Sequence, residues 1–275
     1  MTAQSDVLLT RTHNRVRTLT THLPKRLNGW TTEVMAAMRA ALADAAADPA
    51  VGAVILTATD PYYSAGVNLG GTLKLKAPRK LRALIVAHNE ALFAQFIHFP
   101  KPILAAINGP AIGASVTSAT LCDGLIASER ATFSTPFARL GVTAEGCSTV
   151  LFERLMGAAS AERMLGAEGW APTGQEAFDI GLAQWVVPHD ELMARAQAIA
   201  EEWVATGKPR TWRGDATPAE LAAINAQESE VLADAFLAAP FLDGQFKFLW
   251  SRKKRGPALV FFALKTTRPV WSRFL

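Results

Sequence analysis

The stretch that decides the fold is residues 103–115, which read ILAAINGPAIGAS. Residues 103–107 form a short apolar run typical of a buried strand, and Asn108-Gly109-Pro110 is a turn sequence. The small residues from Gly113 onward predict the start of a short helix. Because ligands in α/β sheets gather beyond the carboxyl ends of strands, the main-chain amides here are candidate ligand contacts.

A second segment of the same kind follows another apolar run. Residues 51–57 predict a buried strand, and residues 63–71 then read YSAGVNLGG. Amides in the first turn of a helix lack an intrahelical acceptor, and the helix dipole favours a negative oxygen beside them. Two such segments could aim two N–H groups at one oxygen, as an oxyanion hole does. The alternative is two turns whose glycines need positive φ.

The rest of the chain alternates strands and helices for about 190 residues and then becomes helical. Further strands are predicted at residues 7–21 (two, with a turn near His13), 125–127, 132–134 and 185–187, and long helices at 31–47 and 78–99. This order predicts an α/β fold with a core at residues 1–200 and a helical region at residues 201–275.

Composition narrows the class of protein. Of 275 residues, 50% are hydrophobic and 19% are charged, which is typical of a globular chain. The net charge is +4, with basic residues gathered near the C-terminus. No basic-aromatic stripe accompanies them, so they favour an anionic small ligand or a solvated tail over nucleic acid.

Cellular location is predicted from the cysteines and from the ends of the chain. Cys122 and Cys147 make no disulfide framework and indicate a reducing compartment. The polar start and the Arg-Phe-Leu end match neither a signal peptide nor a peroxisomal tripeptide. The most apolar stretch, residues 103–122, is interrupted by polar residues and a proline, unlike a membrane span. We therefore expect a cytoplasmic protein with no membrane partner.

Several catalytic classes have no motif in the sequence. It contains no G-x-S-x-G, Walker, G-x-G-x-x-G, H-E-x-x-H or C-x-x-C pattern. The five histidines are scattered, and a lone helical histidine is usually a surface or core residue. Metal chemistry and Ser/His hydrolysis are therefore disfavoured, and we expect no metal.

The two glycine-containing segments resemble the oxyanion-hole segments of the crotonase (enoyl-CoA hydratase/isomerase) superfamily. Other motifs occur in the family's order, namely residues 22–28 (HLPKRLN), 100–103 (PKPI), 121–123 (LCD), 133–136 (FSTP) and 177–182 (AFDIGL). The resemblance runs from about Val7 to Ala200, with a looser helical tail. It implies a spiral of ββα units that binds acyl-CoA, and a C-terminal helical region that forms a homotrimer or a dimer of trimers.

The resemblance also implies roles for individual residues. The amides of Val67 and Ala114 would be the two oxyanion donors. Acyl-CoA contacts are implied in and beside the two segments, at Ala65, Gly66, Asn68, Leu69, Gly113, Phe137 and Leu140. Lys25 and Arg26 match the family's segment near the nucleotide, although a solvated basic surface is the alternative for most basic residues.

The acid/base positions of the hydratases in this family are not filled by carboxylates here. The two hydratase glutamates correspond to Thr117 and Phe137. Neither side chain can exchange a proton near neutral pH, so hydration by the usual two-glutamate route is disfavoured.

A carboxylate stands nearby, in residues 141–147 (GVTAEGC). This segment is similar to that of the peroxisomal-type Δ3,Δ2-enoyl-CoA isomerases, whose single catalytic glutamate would be Glu145. The alternative is a helix-end carboxylate, favourable by about 0.3–1 kcal/mol. The same subgroup places an asparagine on the helix before the second oxyanion strand, and the matching residue is Asn89, which would hydrogen-bond Glu145. An exposed helix asparagine is the alternative there.

The reaction predicted on these grounds is the movement of a double bond from C3 to C2 of an acyl-CoA by Glu145. No cofactor is expected beyond the coenzyme A of the substrate. Apolar neighbours such as Phe137 and Leu140 would raise the pKa of the base. Two alternatives stay open. One is another crotonase reaction, including hydration, and the other is acyl-CoA binding without catalysis. The apolar tail helices could form a subunit interface or a lid over the acyl chain.

Overall fold

The computed structural model of the protein describes residues 6–67 and 77–274. Six strands form one sheet, namely β1 Leu8–His13, β2 Val16–Thr21, β3 Ala53–Ala58, β4 Ile103–Ile107, β6 Gly124–Ser128 and β8 Trp185–Val187. They lie in the order β1-β2-β3-β4-β6-β8. The hairpin β1–β2 is antiparallel, and each later neighbour is parallel.

Both faces of the central strands β3, β4 and β6 are buried. In β3, Val54 and Leu56 belong to one hydrophobic cluster, while Ala53 and Ile55 belong to a second cluster on the other face. Side chains of successive strand residues point to opposite faces, so a continuous apolar run fits a strand that is covered on both sides. This explains why residues 51–57 and 103–107 show no alternation of apolar and polar residues.

Helices cover the two faces of the sheet and then extend beyond it. One cluster contains buried residues of α1, α2, α3 and α5, and the other is closed by α7. The helices are α1 Thr32–Ala47, α2 Pro78–Ile97, α3 Ala114–Thr120, α4 Phe137–Leu140, α5 Ser148–Leu165, α6 Gly174–Asp179, α7 Leu192–Thr206, α8 Pro218–Phe236, α9 Ala239–Ser251 and α10 Arg255–Trp271. The predicted α/β class is confirmed.

A second, two-stranded sheet positions the site. Strand β5 (Ala111–Ile112) pairs in parallel with β7 (Phe133–Ser134) directly before α3 begins. The prediction placed only a Gly/Pro turn before this helix. Two residues between Pro110 and Gly113 are too few to show a strand period, so β5 could not be recognised from the sequence.

The C-terminal helices α9 and α10 form a third hydrophobic cluster together with Leu81 of α2 and the end of α8. Their outer faces expose large apolar side chains, namely Phe248, Trp250, Leu259, Phe262 and Val270. Within residues 6–67 and 77–274, no helix has the length and apolar character needed to cross a membrane. The cytoplasmic location stays a prediction.

Candidate active site

The two glycine-containing segments lie side by side. Ser64 and Ala111 form a parallel bridge, and the amide of Ile112 donates to the carbonyl of Ser64 at 3.0 Å. Gly66 has a φ of 81°, and a β-carbon there would come within 2.8 Å of the Ile112 carbonyl oxygen. Gly66 is therefore required both by its backbone conformation and by the close approach of the second segment.

The two amides predicted as oxyanion donors come directly after Gly66 and Gly113, whose main chains are already hydrogen-bonded. The carbonyl of Gly66 accepts from the amide of Trp30 at 2.9 Å, and the amide of Gly113 donates to Ser134 at 2.8 Å. The next amides along the chain belong to Val67 and Ala114, and Ala114 is the first residue of α3. Within residues 6–67 and 77–274, neither amide has a hydrogen-bond acceptor. Both N–H groups can therefore serve a ligand oxygen.

The loop that carries Glu145 packs against α3. A β-carbon on Gly146 would lie 2.5 Å from Phe93 Cε1 and 2.6 Å from Thr117 Oγ1. Thr117 is fully buried and donates through Oγ1 to the carbonyl of Ala114 at 3.3 Å. The segment with the predicted base and the helix with the predicted oxyanion donor thus meet through a glycine.

Glu145 is half-buried and precedes α5 rather than lying in it. Helix α5 begins at Ser148, whose hydroxyl donates to the Glu145 carbonyl at 2.7 Å. Burial, and secondarily the charge of Glu228, raise the pKa of Glu145 to about 8. A carboxylate held mainly by a helix dipole would have a lowered pKa, so burial and like charge outweigh any dipole effect here.

The carboxylate at the start of α5 is Glu228, which the sequence analysis did not single out. It is 5% exposed and lies on α8. Glu228 Oε2 accepts from the amide of Cys147 at 2.6 Å. Its Oε1 accepts from the amide of Thr149 at 3.0 Å and from Thr149 Oγ1 at 2.6 Å. The role of helix-end charge that was the alternative for Glu145 is therefore filled by Glu228.

Asn89 is buried on α2, with 7% exposure, which excludes the exposed-asparagine alternative. Its Nδ2 donates to Ser229 Oγ at 3.0 Å, and Ser229 Oγ in turn donates to the carbonyl of Asn225 at 2.7 Å. In the part of the chain that the structure describes, Asn89 has no hydrogen bond to Glu145, contrary to what the resemblance implied. Its side chain is held by α8 instead.

The predicted substrate-binding residues fall into two neighbourhoods. Lys25 and Arg26 are exposed on a short 3₁₀ turn, Pro24–Arg26, beside the first glycine segment. The link is direct, because the amide of Ala65 donates to the carbonyl of Leu27 at 2.9 Å. This brings the basic pair close to the segment that carries Val67.

The second neighbourhood is α4. Phe137 is 5% exposed and Leu140 is 39% exposed, so only the first is enclosed by the protein. The amide of Val142 donates to the Phe137 carbonyl at 3.0 Å, which turns the chain toward Glu145. The remaining two predicted contacts, Asn68 and Leu69, lie outside the described residues.

Asn28 organises the loops beneath the site, although the sequence analysis gave it no role of its own. It is fully buried, and its Nδ2 donates to the carbonyls of Thr59 and Tyr62 at 2.5 and 2.6 Å. Its Oδ1 accepts from the amide of Leu23 at 2.8 Å. One amide side chain thus ties the basic turn to the segment after β3. The signal available in the sequence was an asparagine within the segment of residues 22–28.

Two further features stand apart from these residues. A groove between α2 and α8 is lined by Arg79, Arg82, Ala83, Val86, Ala87, Glu90, Glu230 and Asp234, none of which is a predicted site residue. Within the described ranges, no cluster of three or more His, Cys, Asp or Glu side chains is arranged to hold a metal ion. The expectation of no cofactor stays a prediction.

Comparison with known proteins shows which family model and which relatives this chain matches. Residues 11–233 match the family model described as Enoyl-CoA hydratase/isomerase. The human protein named Enoyl-CoA delta isomerase 2 is 34% identical over 242 residues, which cover 84% of this chain and 60% of that protein. The human Chromodomain Y-like protein is 34% identical over 229 residues, covering 81% of this chain and 38% of that protein. This chain therefore spans between 38% and 60% of the length of these two relatives.

Among solved structures, an enoyl-CoA hydratase/isomerase from Pseudoalteromonas atlantica T6c has the same fold. It superposes with a TM-score of 0.75 at 28% identity, over 90% of this chain and 97% of that chain. The crotonase-like α/β fold predicted from the sequence is thereby confirmed.

Proposed function

Because this chain belongs to the enoyl-CoA hydratase/isomerase family, we propose that it is a Δ3,Δ2-enoyl-CoA isomerase. The observation that carries the proposal is Glu145, a half-buried carboxyl whose pKa is raised to about 8. The two positions that hold glutamates in hydratases are occupied by Thr117 and Phe137, both buried. A single carboxyl with a raised pKa, on a loop packed against the helix that begins at Ala114, suits a proton shuttle better than the activation of water.

The proposed reaction begins with a 3-enoyl-CoA whose thioester oxygen accepts from the amides of Val67 and Ala114. The carboxylate of Glu145 takes a proton from C2, and the electrons of that C–H bond delocalise into a dienolate with its charge on the thioester oxygen. The two amides stabilise this charge in the transition state. Glu145 then returns the proton to C4, a double bond forms between C2 and C3, and the carboxylate is regenerated.

The raised pKa of Glu145 supports this assignment. A carboxyl near its usual pKa would be a weak base toward carbon, whereas a base with a pKa near the working pH transfers protons efficiently in both directions. Burial is the larger cause of the shift. Glu145 therefore has the property expected of a group that accepts and then returns the same proton.

Coenzyme A would lie toward the exposed basic turn. Lys25 and Arg26 directly precede Leu27, which accepts from the Ala65 amide, so the nucleotide phosphates of an acyl-CoA bound at Val67 would extend toward this turn. At Gly113 a β-carbon would meet nothing within 4 Å, so the main chain there is open to the thioester, while Gly66 allows the two segments to approach each other. Phe137 would contact the acyl portion. Asn68, Leu69 and Leu140 complete the proposed contacts.

We also propose that the chain forms a homotrimer or a dimer of trimers through its C-terminal helices. Five large apolar side chains of α9 and α10 are between 44% and 66% exposed, which is unfavourable for a free surface. Light scattering at micromolar concentration should give at least three times the mass of one chain. A monomer would contradict this part of the proposal.

The reaction is tested by comparing two substrates with the same chain length. An isomerase should convert a 3-enoyl-CoA to its trans-2 isomer much faster than it hydrates the trans-2-enoyl-CoA. Faster hydration would assign the hydratase reaction instead. Tight binding of both thioesters with turnover of neither would identify a binding protein.

A further inference from the structure

Helix α8 buries polar side chains on the face that it turns toward the site. Its buried residues are Leu221, Asn225, Glu228, Ser229, Leu232 and Ala233. The spacing of these residues is that of one helix face. Three of them are polar, and a buried ionisable group without a compensating role is costly. Ser229 holds Asn89, which leaves Glu228 as the group that needs an explanation.

In the part of the chain that the structure describes, each oxygen of Glu228 accepts from a main-chain amide, Oε2 from Cys147 at 2.6 Å and Oε1 from Thr149 at 3.0 Å. The hydroxyl of Thr149 also lies 2.6 Å from Oε1. A carboxylate accepts well at both oxygens, whereas protonation would weaken one of the two amide hydrogen bonds. The arrangement therefore fits an ionised Glu228, fixed on the first turn of α5.

The same contact lies in the turn that directly follows Glu145. Cys147 lies two residues after Glu145, and Cys147 and Gly146 have φ values of 63° and 67°. This left-handed turn is unusual for a cysteine, and the Glu228 hydrogen bond to the Cys147 amide holds it. The chain between Glu145 and α5 is thus fastened from one side by α8 and from the other by Thr117.

On this geometry we propose that Glu228 is a positioning residue for Glu145, a fixed anion whose hydrogen bonds to Cys147 and Thr149 hold the turn that follows the base. The inference rests on the proposed isomerase function and adds a second carboxylate to its site. As a positioning residue, Glu228 would act on the reaction through Glu145.

Among the residues that the structure describes, Glu145 and Cys147 are the ionisable groups whose pKa the charge of Glu228 raises. Glu145 is one, and the charge of Glu228 adds to burial in raising its pKa. The thiol of Cys147 is the other, and burial and Glu228 raise its pKa as well, so it stays neutral. Burial raises the pKa of Glu228 as well, against three hydrogen bonds that lower it.

The first test is the pH dependence of kcat/KM for the Glu228→Gln variant. Because the reaction needs ionised Glu145, the rate should rise with pH through the pKa of Glu145. Removing the neighbouring charge should move this rising limb down by about one pH unit, and the plateau should fall roughly threefold because a weaker base is slower. Glu220→Gln removes a carboxylate from the same helix at an exposed pair with Arg154 and should leave the limb unmoved.

A second measurement covers the case in which Glu228→Gln does not fold. Carboxyl signals of ¹³C-glutamate-labelled wild-type protein can be titrated, with Glu145→Gln identifying the Glu145 signal. The Glu145 carboxyl should titrate near pH 8. The Thr149→Val variant, which removes a donor to Glu228, identifies the Glu228 signal, and that signal should show an ionised carboxylate at the same pH. An ionised Glu145 beside a protonated Glu228 would overturn the proposal.

The two proposals fail in distinguishable ways. If a folded Glu228→Gln variant isomerises substrate with an unmoved rising limb, Glu228 is only a structural cap and the isomerase function stands. If no isomerisation is found at all, the titration still tests the coupling of the two carboxyls.

Discussion

Gly146 lies against Thr117, so closely that a β-carbon on Gly146 would come within 2.6 Å of Thr117 Oγ1. This contact joins the loop of the proposed base to the helix of the proposed oxyanion donor. It leaves no space for a side chain at Gly146. The relative placement of Glu145 and Ala114 therefore depends on a residue without a side chain.

Gly146→Ala should consequently destabilise the fold and impair catalysis. The new methyl group would also meet Phe93 at 2.5 Å, and the φ of 67° is unfavourable for alanine. We expect a loss of about 2–4 kcal/mol in the free energy of unfolding from overpacking and backbone strain together. Gly207→Ala is the matched control, since its φ is 64° with nothing within 4 Å of the added carbon. Equal losses in denaturant titrations of the two variants would show that the contact with Thr117 is unimportant.

Much of the scaffold could be predicted from the sequence because its signals are local. The strand Ile103–Ile107 and the strand Trp185–Val187 have the predicted bounds. Helix α1 begins where Thr31 provides a cap, accepting from the amide of Val34 at 3.2 Å. Apolar periods and capping residues are properties of a few neighbouring positions, so they can be read directly.

The contacts made by α8 could not be predicted, because they join residues far apart in the sequence. Glu228 is 81 positions from Cys147, and Ser229 is 140 positions from Asn89. The available clue was a glutamate on the apolar face of a helix, between Leu221 and Leu232. Such a residue indicates a buried partner, but the helix pattern does not say which segment supplies it.

Ala114→Pro should remove one proposed oxyanion donor while keeping the helix. Ala114 is the first residue of α3, a position that tolerates proline because its N–H has no intrahelical acceptor. We expect kcat to fall by about 10²–10³-fold. Thr32→Pro makes the same change at the exposed first residue of α1 and should leave kcat unchanged. Normal turnover by a folded Ala114→Pro protein would show that this amide is not a donor in the reaction.

Asp123 is expected to be the most sensitive charged residue for stability. Its side chain is fully buried, and its two oxygens pair with Arg210 at 2.6 Å and Lys208 at 3.1 Å. Because Asp123→Ala leaves a buried guanidinium without a counterion, we expect a loss of about 3–5 kcal/mol. Glu168→Ala breaks the exposed pair with Arg163 and should cost less than about 1 kcal/mol. Urea unfolding of both variants measures the difference, and similar losses would be inconsistent with this account.

Glu145→Gln should stabilise the protein at neutral and alkaline pH. Folding raises the pKa of Glu145 from 4.5 to about 8, so the unfolded chain releases this proton at a lower pH than the folded protein does. Wild-type stability therefore decreases as pH rises between these values, and glutamine avoids that loss. The Tm difference in favour of the variant should grow from pH 5 to pH 8 and then level off. A helix-end charge would instead make the variant less stable at every pH above 5.

The central claim is tested most directly by measuring isomerisation and acyl-CoA binding together in Glu145→Gln. If one carboxyl performs both proton transfers, turnover of a 3-enoyl-CoA should fall by more than about 10⁴-fold, because two steps lose their acid/base group. The Kd for a saturated acyl-CoA should change little, since the amides of Val67 and Ala114 remain. A folded Glu145→Gln protein with near-normal turnover would contradict the account.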